Sequence, residues 1–437
     1  MTGKYGGGAF VLMYLGFVVV VVYPILIAEI IIGREARRNP VGTFSRLTGR
    51  NPFWMCVGLM GVVAGFVILS YYSVIAGWTL DYFAKYVINF FADKNAEQIP
   101  AVFGDLVSAP GAQITWHTIF MGATIGIVIF GVKEGLERWV ELLMPALFIL
   151  LLILLVYGLW KGDAGAALKF MFYPDWGKLV TNELGEYTPR PMLESMGQAF
   201  FSLSIGMGAM ITYGSYLGDD VRVSTTAATV AILDTTVAII AGIAIYTILF
   251  AYHLEPAQGP GLVFKVLPLA FASMPGGRFV AIVFFILLGF AALTSAISLL
   301  EVVVAFFIDE LKWKRRFATL IAGGVIYVLG IFSALSYNRL NGVTLLHDKN
   351  GEGMSILDSM DLLANNYMLP LGGFFIALFL GWFINEEIKK RQILEGQGGE
   401  FFYRAWNIVI KFIAPVAVAI LLVFMIDFHL GLGIFGG

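Results

Sequence analysis

Between Gly197 and Asp220 the chain reads GQAFFSLSIGMGAMITYGSYLGDD, in the middle of an otherwise apolar segment long enough to span a membrane. Its centre, Ser202-Leu203-Ser204-Ile205-Gly206-Met207-Gly208, places two serines and two glycines within seven residues. Glycine weakens a helix, and serine competes for the backbone hydrogen bonds that would hold one. Inside a bilayer, backbone released from a helix survives only beside a protein-enclosed or water-filled cavity. The pattern predicts a discontinuous helix whose half-helix ends and free carbonyls face a small ion and a polar solute. The same composition also suits a plain helix contact, because small residues let membrane helices approach closely.

Ionisable side chains inside apolar spans are costly, so each needs an account. Glu29, Asp234, Glu301 and Asp361 stand out in this way. Asp234 lies deepest, about eleven residues into its span, between Leu233 and Thr235. It is either a neutral, hydrogen-bonded acid tying helices together or a ligand for a cation or proton. Sodium takes hard oxygen donors, and Ser202 and Asp234 could supply two of them. Ala292-Leu293-Thr294-Ser295 offers two more hydroxyls, and a local kink there would free the carbonyl of Ala291. The alternative is that these hydroxyls bond back to their own helix. Ser70-Tyr71-Tyr72-Ser73 sets two phenols mid-span, each needing a partner, whether a packing neighbour or a substrate.

The elements that must hold these residues are membrane spans. Of 437 residues, 59% are hydrophobic and 13% charged, with a mean hydropathy of +0.84. Soluble domains carry about 25% charge. Low charge with repeated apolar runs of roughly 20 residues defines an all-α polytopic membrane protein. About ten spans are expected, near 9–32, 53–90, 114–130, 140–160, 191–216, 223–252, 279–308, 317–334, 356–384 and 404–427. The segment 253–278 reads as a folded hairpin over the surface. Basic clusters at Arg34/Arg37/Arg38, Lys133/Arg138, Lys312/Lys314/Arg315/Arg316 and Lys389/Lys390/Arg391 fall on alternate connections, which places those in the cytoplasm. The loops at 92–111, 161–190, 253–278 and 335–355 then face outside, as do both ends of the chain. A net charge of -2 suggests no nucleic-acid partner. The lone Cys56 excludes a disulfide framework, and the four histidines lack ligand spacing for zinc. A metal-ligand cluster, a phosphate-cradling loop and a nucleophile-base pair are all missing from the sequence, which argues against an enzyme.

At these residues the sequence resembles the sodium-coupled neurotransmitter and amino-acid symporter family, from Gly6 to about Asp427. The resemblance rests on GGGAF at Gly6 to Phe10, on Glu29, Gly33 and Arg34, on SYYSVIAGW at Ser70 to Trp78, on GQAFFSLSIGMG at Gly197 to Gly208, and on ALTSAISLLEV at Ala292 to Val302. It implies an inverted five-helix repeat transporter fold (LeuT-like) in a single transmembrane domain. The first repeat would cover about 1–160 and the second about 190–385, with an extra helix at about 404–428. The implied activity is sodium-dependent, alternating-access symport of an amino acid across the cytoplasmic membrane, with the bilayer and a small-molecule substrate as partners and a homo-oligomer as an option.

Carried over by resemblance, Ser202 and Asp234 match the first sodium site, while Ala291, Thr294 and Ser295 match the second. The fixed charge of Asp234 implies no chloride requirement. Tyr72 matches the tyrosine that binds the substrate carboxylate, and with Phe201 it resembles a lid. Ile68, Ser204, Gly206, Ser295 and Leu299 match the side-chain pocket, where the small Gly206 would leave room for an apolar or aromatic substrate. Gln198 and Asp361 match the outer gate, and Tyr216 and Asp309 the inner gate. Glu29 resembles the acid that supports the broken backbone. The family pattern begins with another broken helix, ahead of the triple glycine, which contributes to both sodium sites. The expectation is that this helix is absent from the chain as written and that restoring it gives a cytoplasmic amino terminus. The competing expectation is a non-transporting fragment of such a symporter.

Overall fold

The computed structural model describes residues 2–181, 188–256, 259–347, 351–394 and 399–430. The Lys133 side chain and parts of the loops 161–190, 253–278 and 335–355 lie outside the described residues.

The first long helix, α1, spans Gly8–Ala36. A widened turn over Val18–Val22 lies just before its Pro24, whose ring cannot sit against a regular preceding turn. Asn39 caps α2 (Pro40–Leu47), its side-chain oxygen accepting from the N–H groups of Val41 and Gly42. Asn51 does the same for α3 (Pro52–Val87) through Phe53. In both, proline occupies the first turn, where its missing N–H costs nothing. With 36 residues, α3 is about 54 Å long at 1.5 Å per residue. It therefore extends beyond a hydrocarbon core of roughly 30 Å.

Then come α4 (Gln98–Ser108), α5 (Pro110–Val128), α6 (Gly135–Lys161), α7 (Ala164–Phe172) and α8 (Trp176–Val180). An interrupted pair follows, α9 (Arg190–Ser202) and α10 (Ala209–Tyr216). The remaining helices are α11 (Val223–Ala251), α12 (Gly259–Ser273), α13 (Gly277–Leu311), α14 (Arg315–Leu335), α15 (Ile356–Phe383), α16 (Glu386–Leu394) and α17 (Glu400–His429). Eight of these are long and apolar enough to cross a membrane. Adding α5 and the interrupted α9/α10 accounts for the ten spans expected from sequence.

Two differences from the sequence reading are structural. The 253–278 segment contains one helix, α12, rather than a hairpin, and it buries Phe264, Leu267, Ala270 and Phe271. Those positions recur at helical spacing, so one face enters the core. Secondly, α13 runs unbroken through residues 291–295, without the kink that would free Ala291.

One core lies between α3, α5, α13 and α14, with α3 and α13 packed along each other. A second lies between α1, α9, α10, α15 and α17. Close backbone approach joins α1 to α10: a side chain at Gly33 would run into the Ile211 carbonyl. The outer surface of α6 carries Leu142, Phe148, Ile149 and Val156, all exposed, as a lipid-facing helix requires.

Candidate functional site

The discontinuous helix is present where the serines and glycines predict it. Helix α9 ends at Ser202, residues 203–208 are not helical, and α10 starts at Ala209. Ser204, Gly206 and Gly208 hold φ of 54°, 91° and 74°. These left-handed values suit glycine and strain other residues. A Cβ on Gly206 would also strike the Leu369 carbonyl of α15. The bare Cα is thus consumed by packing against α15.

Glu29, fully buried on α1, accepts the Gly206 N–H at 2.7 Å through Oε1. A buried backbone donor freed from its helix needs such a partner. Glu29, which the resemblance gives as the acid supporting the broken backbone, makes this hydrogen bond.

Ser202 Oγ donates to Asp234 Oδ2 at 2.6 Å, bringing the end of α9 against the middle of α11. Tyr14 of α1 donates to Ser202 Oγ at 3.3 Å. Tyr14 escaped the sequence reading, although a phenol in an apolar span is itself a signal for a partner. A cavity of about 310 Å³ opens here, lined by Tyr14, Gln198, Ser202, Ala238 and Gly242 among others.

On α13, Thr294 Oγ donates to the Ala291 carbonyl at 2.9 Å. This is the back-bonded arrangement. Ser295 is exposed, and its hydroxyl faces that of Tyr72 across from α3. Ile68 and Leu299 are buried beside them, and Tyr72 and Phe201 pack on the same core. The structure therefore brings together Ser202 with Asp234, Ala291 with Thr294, and Tyr72 with Ser295.

The residues matched to the two gates lie as follows. Gln198 lines the cavity just described, whereas Asp361 lines a separate cavity of about 450 Å³ with Asp358, Ser355 and Glu352. Asp361 accepts from Asn365 Nδ2 at 2.7 Å. On the side of the α13–α14 connection, Tyr216 donates to Glu301 at 2.7 Å, not to Asp309. Glu301 is also held by both terminal nitrogens of Arg315, at 2.8 and 2.5 Å. Asp309 instead accepts from the Asn39 backbone at 2.8 Å. The sequence reading noted Arg315 only as a loop charge. A buried acid with an arginine fourteen residues later was the available hint.

A membrane helix bundle with an interrupted helix, a carboxylate at the break and a cavity beside it has the architecture of an ion-coupled secondary transporter. Comparison with known proteins makes the class specific. The family model "Sodium:neurotransmitter symporter family" matches residues 1–98 and 86–430, and the chain belongs to that family. A sodium-dependent transporter of Bacillus subtilis, YhdH, is 33% identical over 421 residues, covering 96% of this chain and 90% of that protein. One from Haemophilus influenzae is 31% identical, covering 97% and 91%. A solved structure of MhsT in complex with L-phenylalanine is 45% identical with a TM-score of 0.86, covering 97% of this chain and 92% of that one. The LeuT-like fold and membrane transport as the general activity follow.

Proposed function

We propose that this chain carries an apolar or aromatic amino acid across the cytoplasmic membrane, driven by sodium and independent of chloride. The observation that carries the reading is the 2.6 Å Ser202–Asp234 contact at the helix break. It sets a hydroxyl and a carboxylate at the end of a half-helix, the donor set that sodium prefers. The fixed carboxylate supplies the negative charge that chloride would otherwise bring. The second site comprises Ala291, Thr294 and Ser295, beside Tyr72, which takes the substrate carboxylate. The resemblance to MhsT, whose structure holds L-phenylalanine, supports an aromatic or apolar substrate.

Coupling follows from differential affinity. Sodium binds better when the inner side is closed and the broken backbone is assembled, so it shifts the population toward the substrate-binding state. The proposal includes inverted five-helix repeats.

Uptake of labelled phenylalanine into proteoliposomes tests the activity. Accumulation is expected with an inward sodium gradient and with chloride replaced by gluconate. Uptake that persists when the sodium gradient is collapsed would overturn the coupling, and uptake abolished in gluconate would overturn the chloride reading.

A further inference from the structure

We propose that Tyr213 and Ser298 are positioning residues that tie the inner half-helix to the second sodium site. The inference rests on the reading above that Ala291, Thr294 and Ser295 hold sodium.

Tyr213 lies on α10, four residues beyond its first residue, and its hydroxyl donates to Ser298 Oγ of α13 at 2.7 Å. Ser298 Oγ donates in turn to the Thr294 carbonyl at 3.1 Å, one turn up the same helix. Thr294 Oγ then donates to the Ala291 carbonyl at 2.9 Å. A serine hydroxyl has one proton and two acceptor lone pairs. Because Tyr213 supplies a proton to Ser298, the proton of Ser298 is free to be committed to Thr294. The result ties α10 to the backbone of Thr294, whose own hydroxyl is held on the Ala291 carbonyl.

The mechanical arrangement makes this contact matter. Helix α10 is short, starts after Gly208 in a left-handed conformation, and packs on α13. One turn beyond Tyr213, Tyr216 reaches Glu301 on the same helix. A swing of α10 away from α13 that opens the inner side must therefore break Tyr213–Ser298 as well as Tyr216–Glu301. Breaking the first removes the donor that fixes Ser298 and loosens the turn that carries Thr294. Binding linkage is reciprocal, so an ion that holds Thr294 and Ala291 in place also holds α10 closed.

The test uses the purified full chain and reads the sodium concentration that gives half-maximal thermal stabilisation. Tyr213→Phe and Ser298→Ala are each expected to raise that midpoint roughly two- to tenfold, the range for one buried neutral hydrogen bond. The double variant is expected to match the larger single effect, since both substitutions remove one interaction. Melting in the absence of sodium separates this from a purely structural loss, which would lower the sodium-free melting temperature and leave the midpoint alone. Thr294→Val reports on the site itself. A shifted midpoint in Thr294→Val with no shift in Tyr213→Phe, or single effects that multiply in the double variant, would overturn the coupling. An unshifted midpoint in Thr294→Val, or no sodium response in the parent chain, would overturn the site assignment, and the proposal with it.

Discussion

Gly206→Ala tests the physical account of the helix break. The residue sits at φ 91°, where a non-glycine backbone costs about 1–3 kcal/mol. The added methyl would also point at the Leu369 carbonyl. That neighbour is backbone, so no rotamer change relieves the contact, and overpacking of this kind costs about 1–3 kcal/mol. Moving the strand of chain aside would strain the 2.7 Å bond from Gly206 N–H to Glu29. The combined loss is about 2–6 kcal/mol. Gly122→Ala is the matched control: it lies within α5, and a methyl there meets nothing within 4 Å. In a helix interior that change is expected to be neutral or to stabilise by about 0.5–1 kcal/mol. Thermal melting of both variants in detergent, followed by tryptophan fluorescence, makes the comparison. A Gly206→Ala protein that melts no lower than Gly122→Ala would refute the argument that the break is wedged against α15.

Three further outcomes are expected. Asp234→Asn removes the charge facing Ser202 at 2.6 Å, and the sodium midpoint for uptake should rise roughly tenfold or more, on the scale of about 1.5–3 kcal/mol for a charge-assisted hydrogen bond; unchanged sodium dependence would count against the first site. Glu301 is 1% exposed and the Arg315 side chain 23% exposed, so stranding the acid costs more than stranding the base: Arg315→Ala should lower the melting temperature more than Glu301→Ala, the buried-pair scale being about 3–5 kcal/mol, and the reverse order would contradict this. For Glu386, on α16, burial works to raise the pKa, but hydrogen bonds from Lys411, Tyr403 and Lys389 outweigh it and hold the group at about 2, below its usual 4.5. Its contribution is therefore complete above about pH 4.5 and fades as pH falls toward about 2. Because the side chain is 45% exposed, screening limits the gain to about 1 kcal/mol or less. Glu386→Gln should flatten the acid limb of a melting-temperature profile, and an identical limb in both proteins would show that the cluster contributes nothing.

The features legible in the sequence are those with a local cause. Membrane spans follow from length and apolarity, and the break at 203–208 follows from glycines and serines in a place where bilayer physics tolerates few. Glu29, Asp234, Glu301 and Asp361 were legible as acids in the wrong solvent; Ser202 was named beside Asp234 and the broken backbone beside Glu29, but the partners of Glu301 and Asp361 were not. Partners depend on how distant helices meet. Glu301 meets Arg315 and Tyr216, Asp309 meets Asn39, and Asp361 meets Asn365. The hairpin expected at 253–278 came from Pro256, Gly259, Pro260, Gly261 and Pro268 read as turn signals. Pro260 falls at the start of α12, and a widened turn over Leu262–Val266 precedes Pro268, so neither proline breaks the helix.

The absent kink in α13 has the same kind of cause, with a functional consequence. Thr294 and Ser298 donate to carbonyls three and four residues back, the internal pairing that lets hydroxyls sit within a regular helix. An ion arriving at Ala291 and Thr294, the proposed second site, must compete with those bonds, whereas the Ser202–Asp234 pair is held by Tyr14 from another helix. On the proposed assignment, affinity at the α13 site depends on what holds Thr294 and Ser298 in register, which is their own back-bonding together with the Tyr213 hydroxyl from the inner half-helix. A site whose ligands are paired at rest can respond to the position of α10, and this is the physical basis for expecting sodium occupancy and inner closure to move together.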